Sequence, residues 1–298
     1  GWQAQWQGLQ GSVVYTTDFG HVAASFRSAG IEGGSAASVF DLRDFLWTAD
    51  LTRDESGLLV GDVGTSVESF RLASREEGGP RFELDRWQMH QSNEVRAGSF
   101  DGELEFRIQA IRVGDQTFGP GRVELQMRNL DARSLARLQN QGAPGDAPHD
   151  SQGVTRTAVD GGATSPLFDL VSRSPHLELR TLHLATPSGN LEAWMSIDID
   201  GSRPELLQEL FSLPLLLEVR AEIECPAQIL DELYREREEE LLELRSDGWI
   251  LLDGERYKSR LEFDQGELVV NGLRKSLAEL LGQPEETPAE IPQVSLAD

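Results

Sequence analysis

Cysteine is almost absent: Cys225 is the single thiol in 298 residues. One thiol excludes an intramolecular disulfide, a zinc ribbon and a C-x-x-C redox pair, and leaves the compartment open. Lysine is nearly as scarce. Lys258 and Lys275 stand alone, so arginine carries almost all the positive charge, a bias that fits a GC-rich coding sequence and a salt-tolerant source. No apolar run approaches the roughly 18 residues that a membrane helix needs, and residues 1–10 lack the charged-then-apolar order of a signal peptide. Catalytic signatures are missing as well. There is no G-x-S-x-G elbow, no P-loop and no G-x-G-x-x-G after a strand, so acyl-transfer hydrolase, NTPase and dinucleotide readings have no starting residue.

What is present describes a globular chain. A hydrophobic fraction of 39%, a charged fraction of 26%, 6 Trp and 12 Phe are ordinary for a chain that builds a core. The balance of 51 acidic against 27 basic residues gives a formal net charge of −24. Such a surface repels nucleic-acid phosphates and anionic headgroups, so nucleic acid is excluded as a partner. The start, GWQAQWQG with no initiator Met, reads as a piece excised from a longer protein.

Period-two alternation dominates. In GELEFRIQAIRV, Leu104, Phe106, Ile108 and Ala110 share one face and Glu103, Glu105, Arg107 and Gln109 the other. GRVELQM repeats this with Val123, Leu125 and Met127, and NLEAWMSIDIDG with Leu191, Ala193, Met195, Ile197 and Ile199. FGPG at 118–121 and TPSGN at 186–190 supply turns. GWILLDGERYKSRLEFDQGELVVNG reads as a meander, with Asp253-Gly254 and Gln265-Gly266 where hairpins need positive φ. In SPHLELRTLHLAT the apolar phase slips between Leu179 and Leu182, which predicts a bulge near Arg180.

Helices are fewer. LDARSLARLQ can start on Asp131 as N-cap and bury Leu135 and Leu138, and SRPELLQELF carries Leu206, Leu207, Leu210 and Phe211 at helical spacing. The longest candidate runs from Pro226 to about Arg245, with Leu230, Leu233, Leu241 and Leu244 inward and REREEE as a solvated face. Strand, Gly/Pro turn, strand, then helix occurs twice, around residues 108–138 and 179–210. The expected fold is therefore α+β, an extended antiparallel sheet built from repeated β-β-α units with short helices packed on it. The expected divisions are a strand-rich half at 1–139, a Gly/Pro/Asp-rich linker at 140–165, a second half at 166–282 and a tail at 283–298.

No candidate site outweighs its plain structural alternative. Asp198-x-Asp200 could hold a hard cation beside Ser196 on one strand face, but an EF-hand loop started there meets Arg203 where Gly is needed, so solvent-facing carboxylates are preferred. His21, His90, His149, His176 and His183 show no metal spacing. His176 and His183 share a polar face but lie roughly 20 Å apart along one strand, so surface roles are preferred. Cys225 before Pro226 reads as a buried cysteine at a strand-to-helix corner rather than a reactive thiol. Trp47, Trp87, Trp194 and Trp249 read as core, with an open apolar groove as the alternative.

LDRWQMHQSNE, LEFRIQAIRVGDQTFGPGRVELQMRNLDARSL, SPLFDLVSRSPHLELRTLHLATPSGNLEAWMSIDID, LEVRAEIECPAQIL and YKSRLEFDQGELVVNGLRKSL come in the order seen in YdgA-like proteins, the bacterial family of domain of unknown function 945. The resemblance runs from Leu84 to Leu281 and is weaker before. It implies an envelope protein with one N-terminal inner-membrane helix and a large periplasmic domain, of which this chain is the C-terminal part. It brings no catalytic, cofactor-binding or metal residues. The expectation is a non-catalytic periplasmic domain without cofactor that binds an envelope protein or a lipid-like ligand. The alternative is an envelope hydrolase using dispersed carboxylates, Asp198 and Asp200 first among them. The oligomeric state stays open.

With −24 charges on one chain, self-repulsion opposes compaction. The unfolding midpoint is expected to rise with added sodium chloride between low and about 0.5 M. A flat or falling midpoint in thermal melts would contradict this.

Overall fold

In the computed structural model, which describes residues 1–76, 78–141, 166–203 and 214–275, the chain forms one large antiparallel sheet. Its strands are β1 (Gln3–Trp6), β2 (Leu9–Tyr15), β3 (His21–Gly34), β4 (Ser38–Arg53), β5 (Leu59–Ser74), β6 (Arg81–Arg96), β7 (Ser99–Val113), β8 (Gln116–Phe118) and β9 (Gly121–Asp131). After α1 (Ala132–Gln141) and α2 (Pro166–Val171) come β10 (His176–Thr186), β11 (Gly189–Ile199) and β12 (Leu217–Pro226). Two further helices, α3 (Ala227–Leu233) and α4 (Glu238–Ser246), precede β13 (Leu251–Asp253), β14 (Arg256–Asp264), β15 (Glu267–Val270) and β16 (Leu273–Lys275). The sheet order is β1-β3-β4-β5-β6-β7-β9-β10-β11-β12-β14-β15-β16, with β2 on β3, β8 on β7 and β13 on β14.

Nearly every connection joins neighbours, which is what hairpin turn chemistry dictates. Ala97-Gly98, Gln265-Gly266 and Asn271-Gly272 carry positive φ at both central positions of their turns. That geometry matches the right-handed twist of the strands it joins. β9 pairs with β10 from Arg128↔His176 to Gly121↔Leu184, so the strands on either side of residues 142–165 belong to one sheet. The bulge expected near Arg180 is present: the register slips between Leu179 and Leu182 against β11.

A second irregularity crosses the sheet. Gly8, Ala29, Asp44, Glu68, Arg86 and Gln109 would face one another in register, yet each is skipped by the ladder on its strand. Alternate members of the row, Gly8, Asp44 and Arg86, have φ of 89°, 48° and 46°. The apolar alternation restarts there one residue out of phase: Phe40 and Leu42 before the row give way to Phe45 and Trp47 after it, and Phe82 and Leu84 to Trp87 and Met89. β1 and β2 keep the same register sum against β3 on either side of Gly8, so they are two halves of one edge strand broken at this crease.

Among the described residues, helices are confined to two places. α1 starts where Asp131 Oδ1 accepts the Ser134 amide at 2.9 Å, the N-cap expected from sequence. Its buried residues are the small ones, Ala132, Ser134 and Ala136, of which the two alanines pack with Leu58 and Phe100 at the β4–β5 and β6–β7 ends of the sheet; Leu135 and Leu138 are half-buried. The single helix expected from Pro226 to Arg245 is two, separated at Tyr234–Arg237. Leu230 and Leu241 are eleven residues apart in sequence, which a straight helix would spread over about 16 Å. The break folds both onto the same cluster around Cys225 and Tyr257. Leu233, expected inward, is 66% exposed.

The expectation of repeated β-β-α units gives way to a coarser description. β7, β9 and α1 form one such unit, but the strands from Gln3 to Arg96 have no helix among them, so the sheet is a meander with local helical additions. The helix expected over 202–211 falls mostly outside the described residues, as do the tail and most of the 140–165 segment.

Asp131, the last residue of β9, ties α1 to the sheet through Ser134, and the turn after α2 through Arg173 Nε at 3.0 Å. Burial pushes its carboxyl up, but the Ser134 amide and hydroxyl and the Arg173 guanidinium outweigh it and hold it below the usual aspartate range. A depressed folded-state pKa stabilises fully above the unfolded value, near 3.9, and the contribution is lost as pH falls through the folded value. Asp131→Ala is expected to cost about 1–2 kcal/mol at neutral pH, with the deficit shrinking below about pH 3 in denaturant titrations.

Candidate apolar-ligand site

Residues opposite one another in an antiparallel ladder share a face. Following the register from strand to strand, Val13, Ala24, Ala49, Val63, Gln91, Leu104, Leu125, Leu179, Met195, Ala221, Leu261 and Val270 form one row across twelve strands, with Gln91 its single polar member. At the usual strand spacing that row is roughly 50 Å long. The next row on the same face runs Phe26, Trp47, Thr65, Met89, Phe106, Val123, Leu182, Ala193 and Ile223.

Two helices and an aromatic ring cover the C-terminal end of this face. α3 and α4 sit over Cys225, Tyr257 and Leu191, and Trp249 packs on Phe263, Leu268 and Val270. Ser259, also on the apolar face, donates its hydroxyl to the Trp249 carbonyl at 2.7 Å. Over β3 to β7, away from the rim held by α1, no second layer packs on the apolar rows among the described residues. Even so, Ala49 and Val67 are only 6% and 9% exposed, because same-face neighbours on adjacent strands close around them.

The face is hollowed at β6, β7, β9, β10 and β11. A cavity of about 440 Å³ is lined there by Trp87, Phe106, Ile108, Val123, Leu182 and Leu184 around Gly121. Gly121 shapes it: a Cβ at this position would lie 2.9 Å from Ile108 Cγ2 and 3.0 Å from Leu184 Cδ1, so the missing side chain is what leaves the hollow open.

The reverse face is ionic. Glu105 accepts from Arg107 Nε at 2.6 Å and Arg122 Nε at 2.8 Å, and Arg122 also pairs with Glu124. Burial pushes Glu105 up, but the two arginines outweigh it and hold it below the ordinary glutamate range. Glu103 accepts from Gln126 at 2.6 Å, and Arg256 bridges to Glu224. Trp194 belongs to this face, 39% exposed, its indole N–H donating to Glu222 at 3.4 Å across a shallow hollow of about 530 Å³ that Arg180, His183 and Glu192 also border. Of the four tryptophans read from sequence as core or groove, Trp47, Trp87 and Trp249 are half-buried on the apolar side, whereas Trp194 faces the other way.

Asp198 and Asp200, the carboxylates singled out from sequence, each have a local partner. Asp198 is hydrogen-bonded to His176 Nδ1 at 2.7 Å across the β10–β11 ladder. Asp200 lies one residue beyond β11, not on its face beside Ser196, and caps the turn by accepting from the Ser202 amide at 3.0 Å and hydroxyl at 2.6 Å. The Ser202 bonds hold it below the usual aspartate range. His183 pairs in register with Glu192, far along β10 from His176. Among the described residues no three His, Cys, Asp or Glu side chains group to hold a metal ion. Sequence reading missed the crease and the length of the apolar row. The signal was available in FDLRDFLWTA and RFELDRWQMHQ, where the alternation changes phase as it does near Arg180.

A family model described as a bacterial protein of unknown function (DUF945) matches residues 1–277, so the match takes in the strands before Leu84. No curated protein and no solved structure matches the chain.

Cys225 is 4% exposed, and burial pushes its thiol up, with Arg256 opposing and Glu224 adding to the shift. A neutral, enclosed thiol reacts only when the structure opens. Alkylation by iodoacetamide at pH 8 is expected to be at least a hundredfold slower in native protein than in about 6 M guanidinium; comparable rates would show an accessible thiolate.

Proposed function

We propose that this chain, which belongs to the DUF945 family of bacterial proteins of unknown function, is a non-catalytic binding module that holds an apolar ligand, a lipid acyl chain, along the uncovered face of its sheet. We place it in the periplasm, tethered to the inner membrane in the whole protein, as the resemblance to YdgA-like envelope proteins implies. The observation that carries the ligand reading is the apolar row across twelve strands, with a cavity of about 440 Å³ beside it. Monomeric soluble proteins rarely leave contiguous apolar patches beyond a few hundred Å² uncovered unless something binds there.

The magnitudes favour a chain-like ligand. Each methylene removed from water is worth about 0.8 kcal/mol, so ten buried methylenes supply roughly 8 kcal/mol before ordering costs, the scale of micromolar affinity. A net charge of −24 works against docking on an anionic bilayer, which favours a single lipid molecule held away from the membrane surface. Against the hydrolase alternative, Asp198 and Asp200 are each engaged in a local bond, with His176 and Ser202 respectively.

The test is native mass spectrometry of purified protein beside organic extraction of the same sample, followed by titration with a fluorescent fatty acid. A reproducible lipid adduct and saturable fatty-acid binding are expected. Gly121→Leu, which fills the cavity at the cost of crowding Ile108 and Leu184 and lowering the melting point, and Phe106→Ser, which leaves Gly121 untouched and should keep its cooperative melt, should each weaken binding about tenfold or more. A clean mass with no saturable binding would overturn the ligand reading. Turnover of an envelope substrate abolished by Asp198→Ala or Asp200→Ala would overturn the non-catalytic one.

A further inference from the structure

The two edges of the sheet differ in kind. The far edge, β16, is three residues long and carries Arg274 and Lys275, the short and charged form that prevents edge pairing. The near edge has none of these protections. Residues 1–17 contain no charged side chain, in a chain that is 26% charged, and no proline. β2 is exposed along its whole length, with Val13 49%, Val14 63% and Tyr15 57% exposed. Among the described residues it pairs only with β3, which leaves its outer N–H and C=O groups without a strand partner.

We infer that two copies of this chain pair antiparallel through β2, about a two-fold axis at Ser12. The register follows from the sequence of the strand. With Ser12 opposite itself, Leu9 faces the second copy's Tyr15, Gln10 its Val14 and Gly11 its Val13. Leu9, Gly11, Val13 and Tyr15 are opposite Ser28, Phe26, Ala24 and Val22 of β3, so they share the apolar face. A two-fold axis relating antiparallel neighbours in one sheet stands perpendicular to it, so both copies present the apolar face on the same side. The row that begins at Val13 then continues into the second copy, and two troughs become one.

A second copy suits this edge better than another partner for two reasons. Two chains each carrying −24 repel, and the contact is placed where neither has a charged side chain. The pairing is also isologous and consumes the only unprotected long edge among the described residues, so it closes at two chains and does not propagate. This inference goes beyond the ligand reading and does not depend on it.

The test uses new single thiols, since Cys225 is buried and unpaired. Across a two-fold at Ser12, the Cβ atoms of a Ser12→Cys pair would lie about 4.5–5.5 Å apart, close to disulfide range. In Val14→Cys the two thiols would be offset by four residues, about 13 Å along the strands. Light scattering of the unmodified chain at physiological salt should give the dimer mass. Mild oxidation should link Ser12→Cys at least tenfold faster than Val14→Cys, and Ser12→Glu, placing like charges face to face, should shift the mass to monomer with its melting curve retained. A monomer at about 0.1 mM, or equal cross-linking of the two cysteine variants, would overturn the inference.

Discussion

The backbone ladder is the interaction on which everything else in this protein depends. A two-layer domain is held by side chains meeting between layers, but here much of the sheet has no second layer among the described residues, and the buried clusters sit at its ends. Strand must therefore hold strand. β4 pairs with β5 from Ser38↔Ser74 to Arg53↔Leu59, and β6 with β7 from Phe82↔Val113 to Arg96↔Ser99. A slip of one residue in β4, β6 or β7 would send Trp47, Trp87 or Phe106 to the ionic face, and in β7 it would also carry Glu105 to the apolar one. The tight turns at Ala97-Gly98 and Gln265-Gly266 fix the register locally, and the arginine pairs police it across strands.

That second role explains why arginine serves where lysine could not. Arg122 reaches Glu105 on β7 and Glu124 on its own strand, and Arg180 reaches Glu103 on β7 and Glu178 beside it. Such exposed pairs contribute only about 0–1 kcal/mol each. Their value lies in specificity: a planar guanidinium with several fixed donors can join two carboxylates on different strands, whereas a wrong register would bring like charges together. With acidic residues in such excess, this placement of the few cations also relieves repulsion where carboxylates crowd most.

Much of the fold was legible because period two is a local signal. The strands through Leu104–Ile108, Val123–Met127 and Leu191–Ile199, the C-terminal meander, the bulge at Arg180 and the Asp131 cap all follow from residues within a few positions of one another. What was not legible depends on partners distant in sequence. The break at Tyr234–Arg237 interrupts a favourable helical pattern because Leu230 and Leu241 have a common target in Cys225 and Tyr257, which no local reading supplies. Trp194 was grouped with Trp47 and Trp87 by residue type, although its neighbours Ala193 and Met195 already assigned it to the opposite face. The apolar row is likewise invisible strand by strand, since each half-buried strand looks as if a core awaits it.

The crease shows how such a long face is kept apolar. A strand of sixteen residues that alternated without interruption would accumulate twist along its whole length. Asp44 and Arg86 in the left-handed region, in register with Gly8 on the edge strand, break β4, β6 and the edge at one level, and the alternation restarts out of phase on the far side. A non-glycine residue held at positive φ costs on the order of 1 kcal/mol and persists only where its surroundings fix it. Here two such positions, Asp44 and Arg86, lie in one line across the sheet and are skipped by the ladders on both sides. Their alignment makes the crease a collective property of the sheet, one that crosses it beside Trp87 and Ile108, which line the apolar cavity.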